Sequence, residues 1–168
     1  MVFLVYNDDN DDQFTKLSEA TVKLSTKGRY ATRAMIDLAA HSGEGLVLIK
    51  DISMRTNVTE RYLEQLFIPL RAAGLVRATR GIRGGFALAK DPSIIKLSEI
   101  IQVMEGSVAP TECVDDASVC PRASSCVTRS VWIEMKEAMC GILEGTTLED
   151  MVQRQNEGDR EAATSYQI

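Results

Sequence analysis

The sequence contains no apolar run approaching the length of about eighteen residues that a membrane-spanning helix needs. An export leader is not expected either. Met1–Tyr6 is apolar but short, has no basic start, and runs into Asp8, Asp9, Asp11 and Asp12. The expected compartment is therefore the reducing cytoplasm, where cysteines serve as thiols or metal ligands rather than as disulfides. A single histidine, His41, leaves little for acid–base chemistry. The glycines of RGIRGG, at 80–85, belong to a hairpin and do not lead from a strand into a helix, so they are not a phosphate-binding loop. No CxxC pair is present, which counts against a zinc ribbon. With these elements missing, no enzyme is expected.

What is present fits one soluble domain with an added arm: 168 residues, 45% hydrophobic and 26% charged. The net charge of −5 and pI near 5.0 speak, as totals, against a nucleic-acid binder. The distribution says the opposite. Residues 22–90 carry twelve Lys or Arg against five acids, a net +7, while residues 1–21 carry −4 and residues 91–168 carry −8. A basic block inside an acidic chain suits a module that meets an anion, most simply a nucleic-acid backbone.

Residues 1–21 read as a flexible arm. From Thr26 to His41, the spacing of Tyr30, Ala31, Ala34, Met35, Leu38 and Ala39 predicts a helix, capped by Ser25 or Thr26. A short extended piece, Leu46–Ile49, follows. A short helix, Lys50–Arg55, is then separated by the turn Thr56-Asn57-Val58 from a longer one. Thr59 caps this second helix, whose Leu63, Leu66, Phe67 and Leu70 face inward and which ends at Gly74. Leu75–Thr79 and Phe86–Lys90 read as strands of a hairpin with Arg80 and Arg83 at its tip. This order is that of a winged helix-turn-helix, with the longer helix in the major groove and the hairpin on the adjacent backbone or minor groove.

Ser98 caps a further helix, Glu99–Met104. A strongly amphipathic helix spans Thr128–Leu143, with Val131, Trp132, Met135, Met139, Ile142 and Leu143 as its stripe. That stripe must pack either on the chain's own core or on a partner helix, and a two-fold reader of palindromic DNA favours the partner. The expected fold is thus mainly α with a small β-wing: a winged helix-turn-helix over 22–106, a cysteine loop at 107–127, a long C-terminal dimerisation helix and following turn at 128–152, and a flexible tail at 153–168.

Cys113, Cys120 and Cys126 lie in CVDDASVCPRASSC, a stretch poor in large apolar side chains. Three thiols brought close in a reducing compartment point to a metal or an iron–sulfur cluster, with redox-active thiols as the alternative. Cys140, on the amphipathic helix, and His41 are the remaining nitrogen or sulfur candidates for a fourth ligand.

Three segments, KLSTKGRYATRAMIDLAAH, RYLEQLFIPLRAAGLVRATRGIRGGFALAKDP and VWIEMKEAM with TLEDMV, together with the three-cysteine loop between them, resemble the IscR/NsrR-type regulators of the bacterial Rrf-two family over roughly residues 22–152. The resemblance implies a dimeric winged helix-turn-helix transcription regulator that binds double-stranded, palindromic operator DNA. It also implies a 2Fe–2S or 4Fe–4S cluster on Cys113, Cys120 and Cys126 that senses cluster supply, iron, nitric oxide or redox state. Carried onto this chain, the DNA-contacting positions are Tyr62, Glu64 and Gln65 on the recognition helix and Arg80 in the wing. Gln65 can read an adenine edge and Arg61 a guanine, while Glu64 repels phosphate and so filters sequences. Arg80 and Arg83 reach phosphates or a narrow minor groove, and Lys27, Arg29 and Arg33 meet the backbone. Two departures stand out. The gap from Cys113 to Cys120 is one residue longer than the even spacing of IscR-like proteins, and Arg129 stands where they place a histidine ligand. NsrR-like proteins can use a partner-subunit carboxylate at the position held here by Arg29. Glu19, Asp115, Asp116, Cys140, water or a small molecule are then the candidates for the fourth ligand. Thiol-redox or zinc switching of the same DNA-binding dimer is the alternative reading.

Overall fold

The computed structural model describes residues 24–81 and 84–165. The arm at 1–21 lies outside them. Helix α1 (Thr26–Ala40) runs through the centre of the core. Its Ala31, Ala34 and Met35 are fully buried, and Leu38 nearly so, because the apolar positions recur on one face. Ser25 is its cap as expected: Oγ accepts from the backbone N–H of Lys27 at 3.1 Å and of Gly28 at 3.3 Å.

Helices α2 (Ile49–Thr56) and α3 (Glu60–Ala72) are joined through Asn57, which adopts the left-handed conformation at φ 54°. Asparagine tolerates that region better than most side chains, and so the chain turns sharply here. Leu63, Leu66, Phe67 and Leu70 of α3 are buried, as the spacing predicts. Thr59 holds the cap position, but its hydroxyl makes no capping bond. Its carbonyl instead accepts from the N–H groups of Tyr62 and Leu63, both at 3.0 Å. At the other end, the Leu75 N–H donates to the Leu70 carbonyl at 2.9 Å across Gly74.

Strands β1 (Val76–Thr79) and β2 (Gly85–Leu88) form the wing, antiparallel, with Val76 opposite Leu88 and Thr79 opposite Gly85. Val47, in the expected extended piece, adds one further rung by exchanging two 2.8 Å hydrogen bonds with Phe86. That approach needs glycine at 85, where a Cβ would stand 2.6 Å from the Val47 carbonyl oxygen. The Phe86 ring packs on Phe67 at 4.5 Å between centroids, so the wing is seated on α3.

Helix α4 (Leu97–Glu105) starts earlier than expected. Lys96, not Ser98, precedes it, and the Glu99 carboxylate accepts from the Lys96 N–H at 3.3 Å. The cysteine region contains a short helix, α5 (Glu112–Asp115), and a single 3₁₀ turn at Ala117–Val119. Helix α6 (Val127–Glu144) follows, with no residue fully buried. Helix α7 (Leu148–Ser165) includes residues 153–165 of the segment read as a flexible tail, while residues 166–168 lie outside the described residues. Its start is fixed by a capping box. The Asp150 carboxylate accepts from the Thr147 N–H and hydroxyl, both at 2.8 Å, and the Thr147 hydroxyl accepts from the Asp150 N–H at 3.1 Å. Leu148 is fully buried, and its N–H donates to the Ile95 carbonyl at 3.0 Å. Beyond it, good helix formers continue the helix through a polar stretch.

Candidate nucleic-acid interface and cysteine loop

The reading face is built by α3. With one flank buried, its opposite flank presents Arg61, Glu64 and Gln65 to solvent at helical spacing. Tyr62 lies at the edge of that flank, half-buried, its ring edge-on to Tyr30 at 6.0 Å and 88°. Lys27 and Arg29 are exposed at the start of α1, and Arg80 is exposed just past β1. Arg83 lies outside the described residues. The structure thus brings the α3 residues together on one face and places the α1 and wing cations on the flanking elements.

Arg33, exposed on α1 like Lys27 and Arg29, also makes contacts within the chain. Its Nη1 donates to the Thr56 carbonyl at 3.1 Å, and the guanidinium stands 5.5 Å from the Tyr30 ring centroid. It ties α1 to the last turn of α2. A second tie is the paired contact from Arg55 to the nearly buried Asp37, at 2.6 and 2.9 Å. The Asp37 carboxylate holds the Arg55 guanidinium charged even more firmly than usual.

Cys113, Cys120 and Cys126 are free and half-exposed. Cys113 sits on α5, with its Sγ 3.4 Å from the Thr111 hydroxyl. Cys120 follows the 3₁₀ turn. Cys126 is the residue before α6, with its Sγ 3.1 Å from the Thr128 hydroxyl. That hydroxyl, the Arg129 N–H and the Arg129 charge pull the Cys126 thiol below its ordinary pKa. Among the described residues, no group of three His, Cys, Asp or Glu side chains stands close enough to hold a metal ion. The donor chemistry suits an iron–sulfur cluster, but in this arrangement the three thiols are not gathered around one point. Cys140 lies apart, lining a cleft of about 280 Å³ with Ile101, Gln102 and Leu143.

Polar ties that sequence reasoning missed hold this loop. Arg129 Nε donates to the Cys113 carbonyl at 2.7 Å, closing the loop end to end. Lys136 on α6 pairs with Asp115 at 2.6 Å, which holds the Asp115 carboxyl below its usual pKa. At the loop's entrance, Glu105 reaches back to α1: Oε1 accepts from the Ser25 hydroxyl at 2.6 Å and from the N–H groups of Ser25 and Gly28, both at 3.1 Å. These partners are too far apart in the chain for periodicity to link them.

A seated wing, an exposed polar flank on α3 and cations on the neighbouring elements define a winged helix-turn-helix transcription regulator. Comparison with known proteins agrees. The family model of the Rrf2 proteins, described as iron-dependent transcriptional regulators, matches residues 24–154. The chain is 41% identical over 145 residues to the HTH-type transcriptional regulator CymR of Bacillus subtilis, covering 86% of this chain and 99% of that protein. The solved structure of CymR, described as the global cysteine regulator of B. subtilis, aligns with a TM-score of 0.68 at 42% identity, over 80% of this chain and 98% of that one. The T. potens IscR structure aligns equally well, with a TM-score of 0.68 at 43% identity, over 81% and 90%. The chain belongs to the Rrf2 family, and its relatives are transcription regulators rather than enzymes. Among the described residues, no helix is long and apolar enough to cross a membrane.

Proposed function

We propose that the chain is a dimeric regulator whose affinity for operator DNA is set by the chemical state of the loop carrying Cys113, Cys120 and Cys126. One observation carries this reading. The three free thiols lie on a loop that is tied at one end to α6 and enters from Glu105, which caps α1 beside the DNA-reading elements. In this reading, Arg61, Tyr62, Glu64 and Gln65 meet base edges. Lys27, Arg29, Arg80 and Arg83 meet the backbone or minor groove. The apolar stripe of α6, with Val131 48% and Ile142 68% exposed, is the seam between two copies, placing two reading helices on a palindrome.

Cys113, Cys120 and Cys126 would hold a 2Fe–2S or 4Fe–4S cluster, which supplies a centre sensitive to iron supply, nitric oxide and redox state. The fourth ligand does not come from Arg129, whose guanidinium has no lone pair to give and is engaged with the Cys113 carbonyl. Gathering three separated thiols would draw in α5 and the start of α6, and so would pull on Glu105. The test is iron and sulfide content, with visible absorption, of oxygen-free protein after reconstitution. Iron and sulfide bound by the wild type, and lost in Cys120→Ala, support the cluster. A second reading, in which the same loop switches by thiol oxidation or zinc, is supported by the free, half-exposed thiols and by the Thr128 hydroxyl 3.1 Å from Cys126 Sγ, though zinc would need the same gathering of thiols as a cluster. A sample without iron, with either one zinc per chain or reversible loss of titratable thiols, would select it.

A further inference from the structure

We infer that Ile68 is a sequence-reading residue of the recognition helix and contacts a thymine methyl group. The inference rests on the DNA-binding reading and extends it. Ile68 is 66% exposed, on a helix that buries its other large apolar residues Leu63, Leu66, Phe67 and Leu70 to 3% or less. It stands seven residues after Arg61, two helical turns on and within about 20° of the same direction. Arg61, Glu64, Gln65 and Ile68 therefore lie along one exposed flank directly opposite the buried one. Among the described residues, Ile68 is the one exposed large aliphatic side chain of α3, flanked on its face by the charged and amide side chains of Arg61, Glu64 and Gln65.

The chemistry of the groove says what would cover it. Of the base edges in the major groove, only thymine presents a methyl group. The offset from Arg61 is about 10 Å along the helix axis, so the two side chains meet different base pairs. Arg61 and Gln65 thus read polar edges near the helix start, and Ile68 tests for a methyl further along the site. Burying an exposed methyl or methylene against another contributes enough for about a fourfold change in affinity.

The experiment uses the full-length chain and a duplex it selects from a random library. Each thymine of that duplex is replaced singly by deoxyuridine, which lacks only the methyl. Binding is measured for wild type and for Ile68→Ala, a change at an exposed position that leaves the core untouched. The wild type should lose about fourfold at one thymine in each half-site. Ile68→Ala should bind the thymine duplex more weakly by a similar factor and be indifferent to the methyl at that position, while keeping its preferences at the bases Arg61 and Gln65 read. Two results overturn the assignment: a wild type indifferent to every methyl, or an Ile68→Ala variant that keeps the same loss at the same thymine. A selection that enriches no sequence at all overturns the DNA-binding reading, and the assignment with it.

Discussion

The carboxylate of Glu105 completes the first turn of the helix in which Gly28 sits. Glu105 Oε1 takes hydrogen bonds from the Gly28 N–H, the Ser25 N–H and the Ser25 hydroxyl, and the space it occupies is that of a side chain at residue 28. Helix α1 thus has two caps, one local and one from the end of α4, where negative charge suits the helix dipole. Replacing Gly28 by alanine in an ordinary helix raises stability by roughly 0.5–1 kcal/mol. Here the added Cβ would displace the carboxylate, so Gly28→Ala should lower stability, and Glu105→Ala should cost about 1–2 kcal/mol. Urea unfolding of both variants and their double mutant checks this. The double mutant should be no less stable than Glu105→Ala alone, and by up to about 0.5–1 kcal/mol more stable, whereas full additivity would show that the two positions act independently.

On DNA, residues of the α3 flank and residues around it should behave differently. Gln65→Ala and Arg61→Ala should each cost about 1–3 kcal/mol on the preferred duplex and relax the choice of base at one position. Lys27→Ala and Arg80→Ala should weaken binding to all duplexes alike and reduce the salt slope by about two, one for each subunit of the dimer. Titrations at several salt concentrations, on selected and scrambled duplexes, separate the two patterns.

Arg33 should fall outside both groups. Its guanidinium is held by the Thr56 carbonyl and the Tyr30 ring. Arg33→Ala should therefore lower unfolding stability by about 1 kcal/mol while leaving the salt slope as it was. A slope that falls by about two, one for each subunit, would return Arg33 to the phosphate-contacting set.

How far these roles were legible in the sequence depended on the range of the forces involved. Leu63, Leu66, Phe67 and Leu70 recur at helical spacing, so the buried flank of α3 follows from periodicity alone. The wing followed from its glycines and strand residues, and only the extra Val47–Phe86 rung needed the structure. Helix α7 was not read because its residues are polar, yet the TLED sequence at 147–150 already carried its capping box. Arg33 was read by its charge, and charge does not reveal that a backbone carbonyl 23 residues on is its partner. Glu105 could not be read at all: its partners lie 77 and 80 residues away, on a helix that meets α4 only in three dimensions.

The dimer seam has a direct check. Helix α6 leaves Val131, Met135 and Ile142 at least 37% exposed, and buries no residue fully in one chain. A charge placed on this stripe cannot be buried against a second copy without large cost. Ile142→Asp should move the chain from dimer to monomer in sedimentation at micromolar concentration and leave its helical circular dichroism unchanged. A variant that sediments as the wild type does would place the seam elsewhere.

The coupling between the cysteine loop and DNA is tested most directly by one affinity comparison, made without oxygen on a selected duplex. Wild type and Cys120→Ala are each measured by fluorescence anisotropy, once after reconstitution with iron and sulfide and once metal-free with thiols reduced. The two wild-type affinities should differ by about tenfold or more, a coupling of about 1.4 kcal/mol, and the two states of Cys120→Ala should coincide. Equal wild-type affinities in both states, with iron and sulfide bound in one of them, would contradict the coupling.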